Sequence, residues 1–327
     1  MKKIVKGLVS VIIPTYNRAG MVLRVLDSVW NQTYRPIELL VVNDGSPDNT
    51  EAVVSQWIST HNDTPTFTAT LLTQKNAGGC AARNNGLKNA QGEFIQFFDD
   101  DDELCPATIK THVDNLNTHP EILSSLAQST YVTSKGNVNT SYRLGPIDGR
   151  KDFVELIKDL PNPSFILFRH EYLIRNNLIW DTTLPCGQDT DFMIQTLLAG
   201  NSFFSLENIS SIRFFHPGVH VSDRLAKFPV ESFKKLLDKW FRAAAANGMN
   251  DDSLKDGFSY LIFSTLKRNA KAGNSEKHAQ LCKLAEEYGC DRIPQVQFAQ
   301  KHSFGIFKTR LLLIRIVNHM KIFGKFD

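Results

Sequence analysis

Four continuous apolar runs alternate with helix-forming segments in the N-terminal third of the chain, and this alternation restricts the fold more than any other feature. The runs read LVSVIIP, IELLVVND, FTATLLTQ and GEFIQFFD. Strands that are apolar throughout are buried on both faces, which is typical of parallel sheets covered by helices. The pattern therefore predicts an α/β protein with a mostly parallel sheet flanked by helices.

A polar segment follows each apolar run, and the segments read PTYNR, NDGSPDNT, NAGG and DDDD. The carboxyl ends of parallel strands lie at one edge of a sheet, and ligands bind there. We therefore expect these loops to form a binding site.

Length and composition limit the class of protein. The chain has 327 residues, of which 42% are hydrophobic and 22% charged, as in a globular protein with one large domain and an appendage, or two domains. A formal charge of +3 is too small to indicate nucleic acid binding. The scattered cysteines lack CxxC spacing and predict reduced thiols in the cytoplasm. No run approaches the roughly 18 apolar residues of a transmembrane helix.

Residues Asp99 to Asp102 form a continuous acidic run directly after the fourth apolar run. Adjacent carboxylates repel each other, so such a run is stable only when it is solvated, hydrogen-bonded or neutralised by a cation. A solvated loop is the usual interpretation of a charge run. Because this run follows a predicted strand of the sheet, a cation site is the second interpretation.

Other polar residues also have both a functional and a structural interpretation. Asp44 can bind a base or a ribose, or it can cap the following helix, as can Ser46. Arg83 suits a diphosphate but can also form a salt bridge. Asp189 and Asp191 precede an amphipathic segment, where carboxylates stabilise the first turn of a helix or serve in chemistry.

Six ordered motifs resemble those of the family 2 glycosyltransferases, which have the GT-A (Rossmann-like) nucleotide-sugar-binding fold. The motifs are VSVIIPTYNR, SVWNQTY, ELLVVNDGSPDNT, NAGGCAARNNG, GEFIQFFDDDD and GQDTDF. The resemblance implies a GT-A domain over residues 1–225, with a nucleotide-binding part at 1–104 and an acceptor-side part at 105–225. Helical signals predict a C-terminal helical region over residues 226–327.

The resemblance also implies roles for individual residues on the donor side. Those that would border the nucleotide are Pro14, Thr15, Tyr16, Asp44, Arg83 and Asp99. The D-x-D-D pattern of the family falls on Asp99, Asp101 and Asp102, so that Asp101 would bind Mn²⁺ or Mg²⁺, both of which prefer oxygen ligands. Further candidates for the metal shell are Asp99, His216 and His220, and Arg213 is a candidate for the diphosphate.

Transfer to a hydroxyl requires a base that removes the acceptor proton. In the family this position usually reads Glu-Asp, with the Asp as the base of an inverting displacement. Asp189 takes that position here, Gln188 replaces the Glu, and Asp191 is the reserve choice. The residues expected on the acceptor side are Trp180, Asp181 and Gln188.

These inferences predict a metal-dependent inverting glycosyltransferase that moves a sugar from a nucleotide diphosphate donor, a UDP-sugar above all, to a glycan or lipid-linked glycan in surface polysaccharide biosynthesis. The alternatives are a nucleotidyltransferase acting on a sugar phosphate and a non-catalytic cation-binding module. The first would have a Gly-rich basic loop after the first strand, which PTYNRAG is not. The second leaves Asp44, Arg83 and Asp189 unexplained.

The last segment, residues 301–327, interleaves Lys and Arg with bulky apolar residues. Docking onto the preceding helices is one interpretation. Peripheral attachment of a cytoplasmic enzyme to the anionic inner face of the cell membrane is the other.

Overall fold

The computed structural model describes residues 3–61, 65–133, 136–140, 144–214, 229–249, 252–292 and 294–301. The chain divides into two compact units, residues 1–150 with 161–218 and residues 151–160 with 219–327. The predicted boundary at residue 225 lies outside the described residues, and so do His216, His220 and the tail from residue 302 onward.

The first unit begins with strands and helices in the predicted alternation. Its first strands are β1 (Val5–Thr15), β2 (Ile37–Asn43), β3 (Phe67–Thr73) and β4 (Gly92–Phe97), and its first helices are α1 (Val22–Trp30), α2 (Thr50–His61) and α3 (Gly79–Asn89). The strands pair in parallel in the order β3-β2-β1-β4. Every residue of β2 is buried, as expected for a strand that is covered on both faces.

Beyond β4 the same sheet becomes mixed. The next elements in chain order are β5 (Glu103–Leu104), α4 (Thr108–Thr118), β6 (Ser124–Thr133), β7 (Gly136–Asn139), β8 (Gly145–Asp148), α5 (Phe153–Lys158), β9 (Ile166–Arg169), α6 (His170–Arg175), α7 (Gln188–Leu198) and β10 (Ser202–Phe214). β9 runs antiparallel to both β4 and β6, and β10 runs parallel to β6. The four strands β1 to β4 pair in parallel as predicted, and β6 pairs in parallel with β10, but β9 lies antiparallel between β4 and β6, so the whole sheet is mixed.

Helices α1, α2 and α4 contribute to one apolar cluster with alternate residues of β1, namely Val9, Val11 and Ile13. The intervening residue Ile12 points to the other face, where α3 packs with Gly86 against it. The absence of a side chain at residue 86 lets α3 approach β1 closely. This close approach holds α3, which carries Arg83 one turn before Gly86, against the sheet.

We expect Gly86→Ala to destabilise the protein. The added Cβ would lie 2.3 Å from Cγ2 of Ile12, which is fixed by branching at its own Cβ. Overpacking costs about 1–3 kcal/mol, and the better helix propensity of Ala offsets at most about 1 kcal/mol. Urea unfolding measures the change, with Gly20→Ala as the control, because a Cβ there meets nothing within 4 Å. Equal free energies of unfolding for the two variants would contradict the close packing.

The second unit contains α5 together with α8 (Val230–Ala246), α9 (Asp252–Ala272), α10 (Ser275–Glu287) and α11 (Pro294–Lys301). Its core is aromatic: the Trp240 and Phe258 rings stack at 5.5 Å, and Phe153 meets Phe258 edge-on at 5.6 Å. The predicted C-terminal helical extension is thus confirmed for the described residues. None of the described helices has both the length and the apolar character that crossing a bilayer requires.

Candidate functional site

The ends of β1 and β2 bring the first candidate residues to one edge of the sheet. Thr15 pairs in register with Asn43, and the backbone N–H of Asp44 donates to the Thr15 carbonyl at 2.9 Å. Pro14 is half-buried and Thr15 is buried, whereas Tyr16 is 47% exposed. Tyr16 therefore offers an accessible aromatic ring beside the strand ends.

The Asp44 carboxylate binds the loop between β3 and α3. Its Oδ1 accepts hydrogen bonds from Gln74 Nε2 at 2.8 Å and from the Ala77 N–H at 2.9 Å, and its Oδ2 accepts one from the Gly78 N–H at 2.8 Å. The interpretation of Asp44 as a helix cap is therefore wrong. Asp48 instead accepts a hydrogen bond from the N–H of Thr50, the first residue of α2.

Asp99, directly after the β4 region, is held by groups from three distant segments. Its Oδ1 lies 2.7 Å from Arg83 Nη2 of α3, and its Oδ2 lies 3.2 Å from Ser164 Oγ and 3.5 Å from Arg213 Nη2 of β10. Burial opposes the ionised form, but the guanidinium groups of Arg83 and Arg213 outweigh it and lower the pKa of Asp99. Asp99 is thus an ionised carboxylate that orients two arginines.

Trp180 supports Arg83 from the core. The Arg83 Cζ lies 4.6 Å from the centre of the Trp180 ring, which stacks on Phe192 at 4.3 Å. The Asn84 side chain exchanges two hydrogen bonds with the Trp180 backbone. Trp180 is 1% exposed, so it cannot line an acceptor surface as predicted. Its contacts position α3 and Arg83 instead.

Asp100 and Asp101 lie next to Arg18, the last residue of the PTYNR motif. The Arg18 Nε is 3.4 Å from Asp100 Oδ1, and its Nη2 is 3.8 Å from Asp101 Oδ2. Burial raises the pKa of Asp100 to about 6, against the attraction of Arg18. Arg24 donates to the backbone carbonyl of Asp101 at 2.6 Å and thereby fixes the acidic loop.

Asp102 differs from its neighbours because it is 2% exposed. Its Oδ2 lies 2.8 Å from Arg213 Nε, so the last carboxyl group of the D-x-D-D pattern makes a buried contact with a guanidinium. Burial raises the pKa of Asp102 to about 8, and Arg213 opposes this shift. The carboxylate therefore anchors β10 to the acidic loop.

Asp189 lies in the first turn of α7, close enough to the Arg83–Asp99 pair to interact with it electrostatically. Burial raises the pKa of Asp189, Asp99 acts in the same direction, and Arg83 and Arg213 oppose them. Asn162 Nδ2 lies 3.5 Å from Asp189 Oδ2. The carboxylate is thus more basic than usual, although two arginines act on it electrostatically in the opposite direction.

The other candidates near α7 make local contacts. Asp191 is fully buried, and its Oδ2 accepts a hydrogen bond from Gln195 at 2.7 Å. Gln188 donates to the Leu184 carbonyl, and Asp181 accepts from the backbone and hydroxyl of Thr183. A buried carboxylate within its own helix is poorly placed to reach a substrate, which favours Asp189 over Asp191 as a base.

Among the described residues, no group of three or more His, Cys, Asp or Glu side chains is arranged to hold a metal ion. Mg²⁺ commonly binds through one or two carboxylates and takes its other ligands from substrate phosphates and water. Asp101 fits that mode because its side chain is 22% exposed and offers hard oxygen donors beside Asp100. Asp99 fits less well, since both its oxygens contact other side chains.

Sequence reasoning missed Arg18, Asn162 and Ser164. Asn162 accepts a hydrogen bond from the Ser164 N–H at 2.8 Å in a short 3-10 turn, so these two residues link Asp189 to Asp99. The polar residues around Pro163 in PNPS were the available signal. Arg18 is part of the PTYNR motif, but its partners Asp100 and Asp101 lie about 80 residues further along the chain.

Comparison with known proteins identifies the family. The family model described as "Glycosyl transferase family 2" matches residues 10–181, which is more than half of the 327 residues. A Campylobacter jejuni protein named GalNAc(5)-diNAcBac-PP-undecaprenol beta-1,3-glucosyltransferase is 31% identical over 41% of this chain and 41% of its own length. The putative colanic acid biosynthesis glycosyl transferase WcaA of Escherichia coli is 27% identical over 72% of this chain and 84% of its own length.

Solved structures agree in fold. S. aureus TarS 1-349 in complex with UDP-GlcNAc aligns with a TM-score of 0.69 and 22% identity over 100% of this chain and 93% of that chain. The mannosyltransferase PcManGT from Pyrobaculum calidifontis, in complex with GDP-Man and Mn2+, aligns with a TM-score of 0.55 and 19% identity over 96% and 87%. These matches confirm the predicted GT-A fold. The chain belongs to glycosyl transferase family 2 and is a glycosyltransferase.

Proposed function

We propose that this glycosyltransferase uses a nucleotide diphosphate sugar, most simply a UDP-sugar, together with a divalent metal ion, and inverts the configuration of the transferred sugar. The acceptor is a hydroxyl of a glycan or lipid-linked glycan of a surface polysaccharide. The observation that carries this proposal is the convergence of Arg83, Asp99 and Asp189 beside the strand ends.

On the donor side, Arg83 would bind the diphosphate. Its side chain is 12% exposed, and its guanidinium is already oriented by Asp99 and by the Trp180 ring, so little side-chain entropy is lost when it binds phosphate. Asp101 would hold Mn²⁺ or Mg²⁺, which neutralises the negative charge that develops on the leaving diphosphate. The exposed Tyr16 ring would border the base, with Pro14, Thr15 and Asp44 beneath it.

On the acceptor side, Asp189 would act as the base. Burial raises the pKa of the carboxyl group and makes the carboxylate a better proton acceptor. Arg83 limits this rise in pKa, so that the group can still ionise. The acceptor oxygen forms a bond to the anomeric carbon as the bond to the diphosphate breaks. The hydroxyl proton passes to a carboxylate oxygen of Asp189.

The names of the relatives support the acceptor class. One is named for a PP-undecaprenol substrate and another for colanic acid biosynthesis. The chain spans less than half of the length of the Campylobacter protein, so the acceptor of this chain is proposed by analogy with that relative. A lipid-linked acceptor would bring a cytoplasmic enzyme to the inner face of the membrane, and the basic and apolar sequence of residues 301–327 is the candidate contact.

Thermal unfolding with UDP, GDP, UDP-GlcNAc and GDP-mannose, each with and without Mn²⁺, tests the donor and the metal. A ligand at 100 times its Kd stabilises the native state by about 2.7 kcal/mol, so Tm should rise with a uridine nucleotide when Mn²⁺ is present. If Tm rises only with guanosine nucleotides, the donor is a GDP-sugar instead of a UDP-sugar, and the proposed mechanism is unaffected. A nucleotide response that does not depend on Mn²⁺ would contradict the metal site.

A further inference from the structure

Arg18 bridges two adjacent carboxylates of the acidic loop, Asp100 and Asp101. Its guanidinium lies within 3.4 Å of Asp100 and 3.8 Å of Asp101, and the three side chains are 33%, 12% and 22% exposed, in the order Arg18, Asp100, Asp101. The charge of Arg18 therefore lies at the place where the proposed metal ion would bind.

The backbone around Arg18 holds it at this position. Its N–H donates to Thr50 Oγ1 at 2.9 Å, and its carbonyl accepts hydrogen bonds from the N–H groups of Met21 and Val22 at the start of α1. These contacts do not involve the side chain, so the guanidinium can leave the carboxylates without disturbing the turn.

We propose that Arg18 is a built-in competitor of the metal ion: it neutralises Asp100 and Asp101 in the metal-free protein and gives way when metal and nucleotide bind together. This inference rests on the proposed function of Asp101. A guanidinium and a divalent cation repel each other, so both cannot neutralise the same carboxylates at close range. Metal binding must therefore break the contacts of Arg18.

Competition of this kind couples the metal to the nucleotide. A guanidinium that has left Asp100 and Asp101 is a good partner for phosphate oxygens, and a diphosphate brings negative charge to this edge of the sheet. The nucleotide thus offsets the loss of the ion pairs, and linkage requires that metal and nucleotide strengthen each other's binding equally. Metal alone should bind weakly, and metal with nucleotide should bind well.

Titration of the full chain with Mn²⁺, with free Mn²⁺ followed by electron paramagnetic resonance, tests this inference. Without nucleotide, Arg18→Gln should bind Mn²⁺ about fivefold more tightly than wild type, since a partly exposed ion pair contributes up to about that factor. Arg18→Lys keeps the charge and should stay near wild type. Arg175→Gln removes an arginine that pairs with Glu171 on α6, away from the acidic loop, and should leave Mn²⁺ affinity unchanged.

With saturating UDP, or GDP in a parallel arm, the advantage of Arg18→Gln should shrink or reverse, because the variant lacks the guanidinium that binds phosphate. Equal Mn²⁺ affinity of Arg18→Gln and Arg175→Gln without nucleotide would overturn the inference and leave the metal site standing. Absence of Mn²⁺ binding to wild type even with a nucleotide that raises Tm would overturn both. If Arg18→Gln fails to fold, Arg18→Met, which keeps the apolar stem of the side chain and removes its charge, takes its place in the same comparison with Arg175→Gln.

Discussion

Asp101→Ala is expected to abolish sugar transfer and to remove the Mn²⁺-dependent part of nucleotide binding. The proposed metal ion loses its protein ligand, so the charge that develops on the leaving diphosphate is no longer neutralised. Loss of a group that stabilises such charge typically lowers kcat by roughly 10²–10³-fold. Calorimetric titration with UDP, with and without Mn²⁺, together with a transfer assay, measures both effects.

The fold should survive this change, because removing one of several adjacent carboxylates relieves repulsion. Asp114→Ala is the matched control: it removes a carboxylate of α4 that is 57% exposed and pairs with Lys110. The control should keep both activities. If Asp101→Ala folds and its donor affinity still depends on Mn²⁺, the metal ligand must be a residue other than Asp101.

Asp189→Asn is expected to lower kcat by roughly 10²-fold or more while donor affinity is retained. Asn has the same shape and suits the first turn of a helix, but it cannot accept the acceptor proton. Since Asp189 raises the pKa of Arg83 only as one of several neighbours, the diphosphate contact should persist. Steady-state kinetics and equilibrium binding of the donor separate these effects.

The pH dependence of kcat gives a second readout of the same assignment. The base must be ionised, and burial raises the pKa of Asp189, so wild-type kcat should fall with decreasing pH from a point above the usual aspartate value of about 3.9. Asp191→Asn should keep this profile and lose stability instead, because Asp191 is buried and accepts a hydrogen bond from Gln195. Normal turnover of Asp189→Asn with a dead Asp191→Asn would reverse the assignment.

Local sequence was sufficient to predict the first four strands and the edge at which the polar loops meet. Apolar runs of strand length indicate buried strands, and parallel pairing then brings residues such as Asp44 and Asp99 to the same edge. It could not predict that β9 returns antiparallel next to β4, because that pairing depends on contacts between segments about 70 residues apart, Gln96 with Leu167 among them.

The partners of individual carboxylates were also beyond local sequence. Asp44 lies where a helix cap is common, yet it binds Gln74 and Gly78, which approach it only once β3 has paired with β2. Arg213 reaches Asp99 and Asp102 from more than a hundred residues away. Such contacts follow from the tertiary fold. Motif spacing therefore indicates which carboxylates lie close together, but not which arginine or backbone group each one contacts.

The discontinuity of the second unit determines how the first unit could be produced alone. The chain leaves the first unit after Arg150 and re-enters at Pro161, and the excursion carries α5, whose Phe153 packs on Phe258. A protein truncated after residue 218 would keep α5 without its covering helix and would expose an aggregation-prone apolar surface. A soluble minimal enzyme would instead need the excursion replaced by a short linker. Because Asn162 follows the re-entry point directly and its Nδ2 lies 3.5 Å from Asp189 Oδ2, that linker would have to keep Asn162 in place.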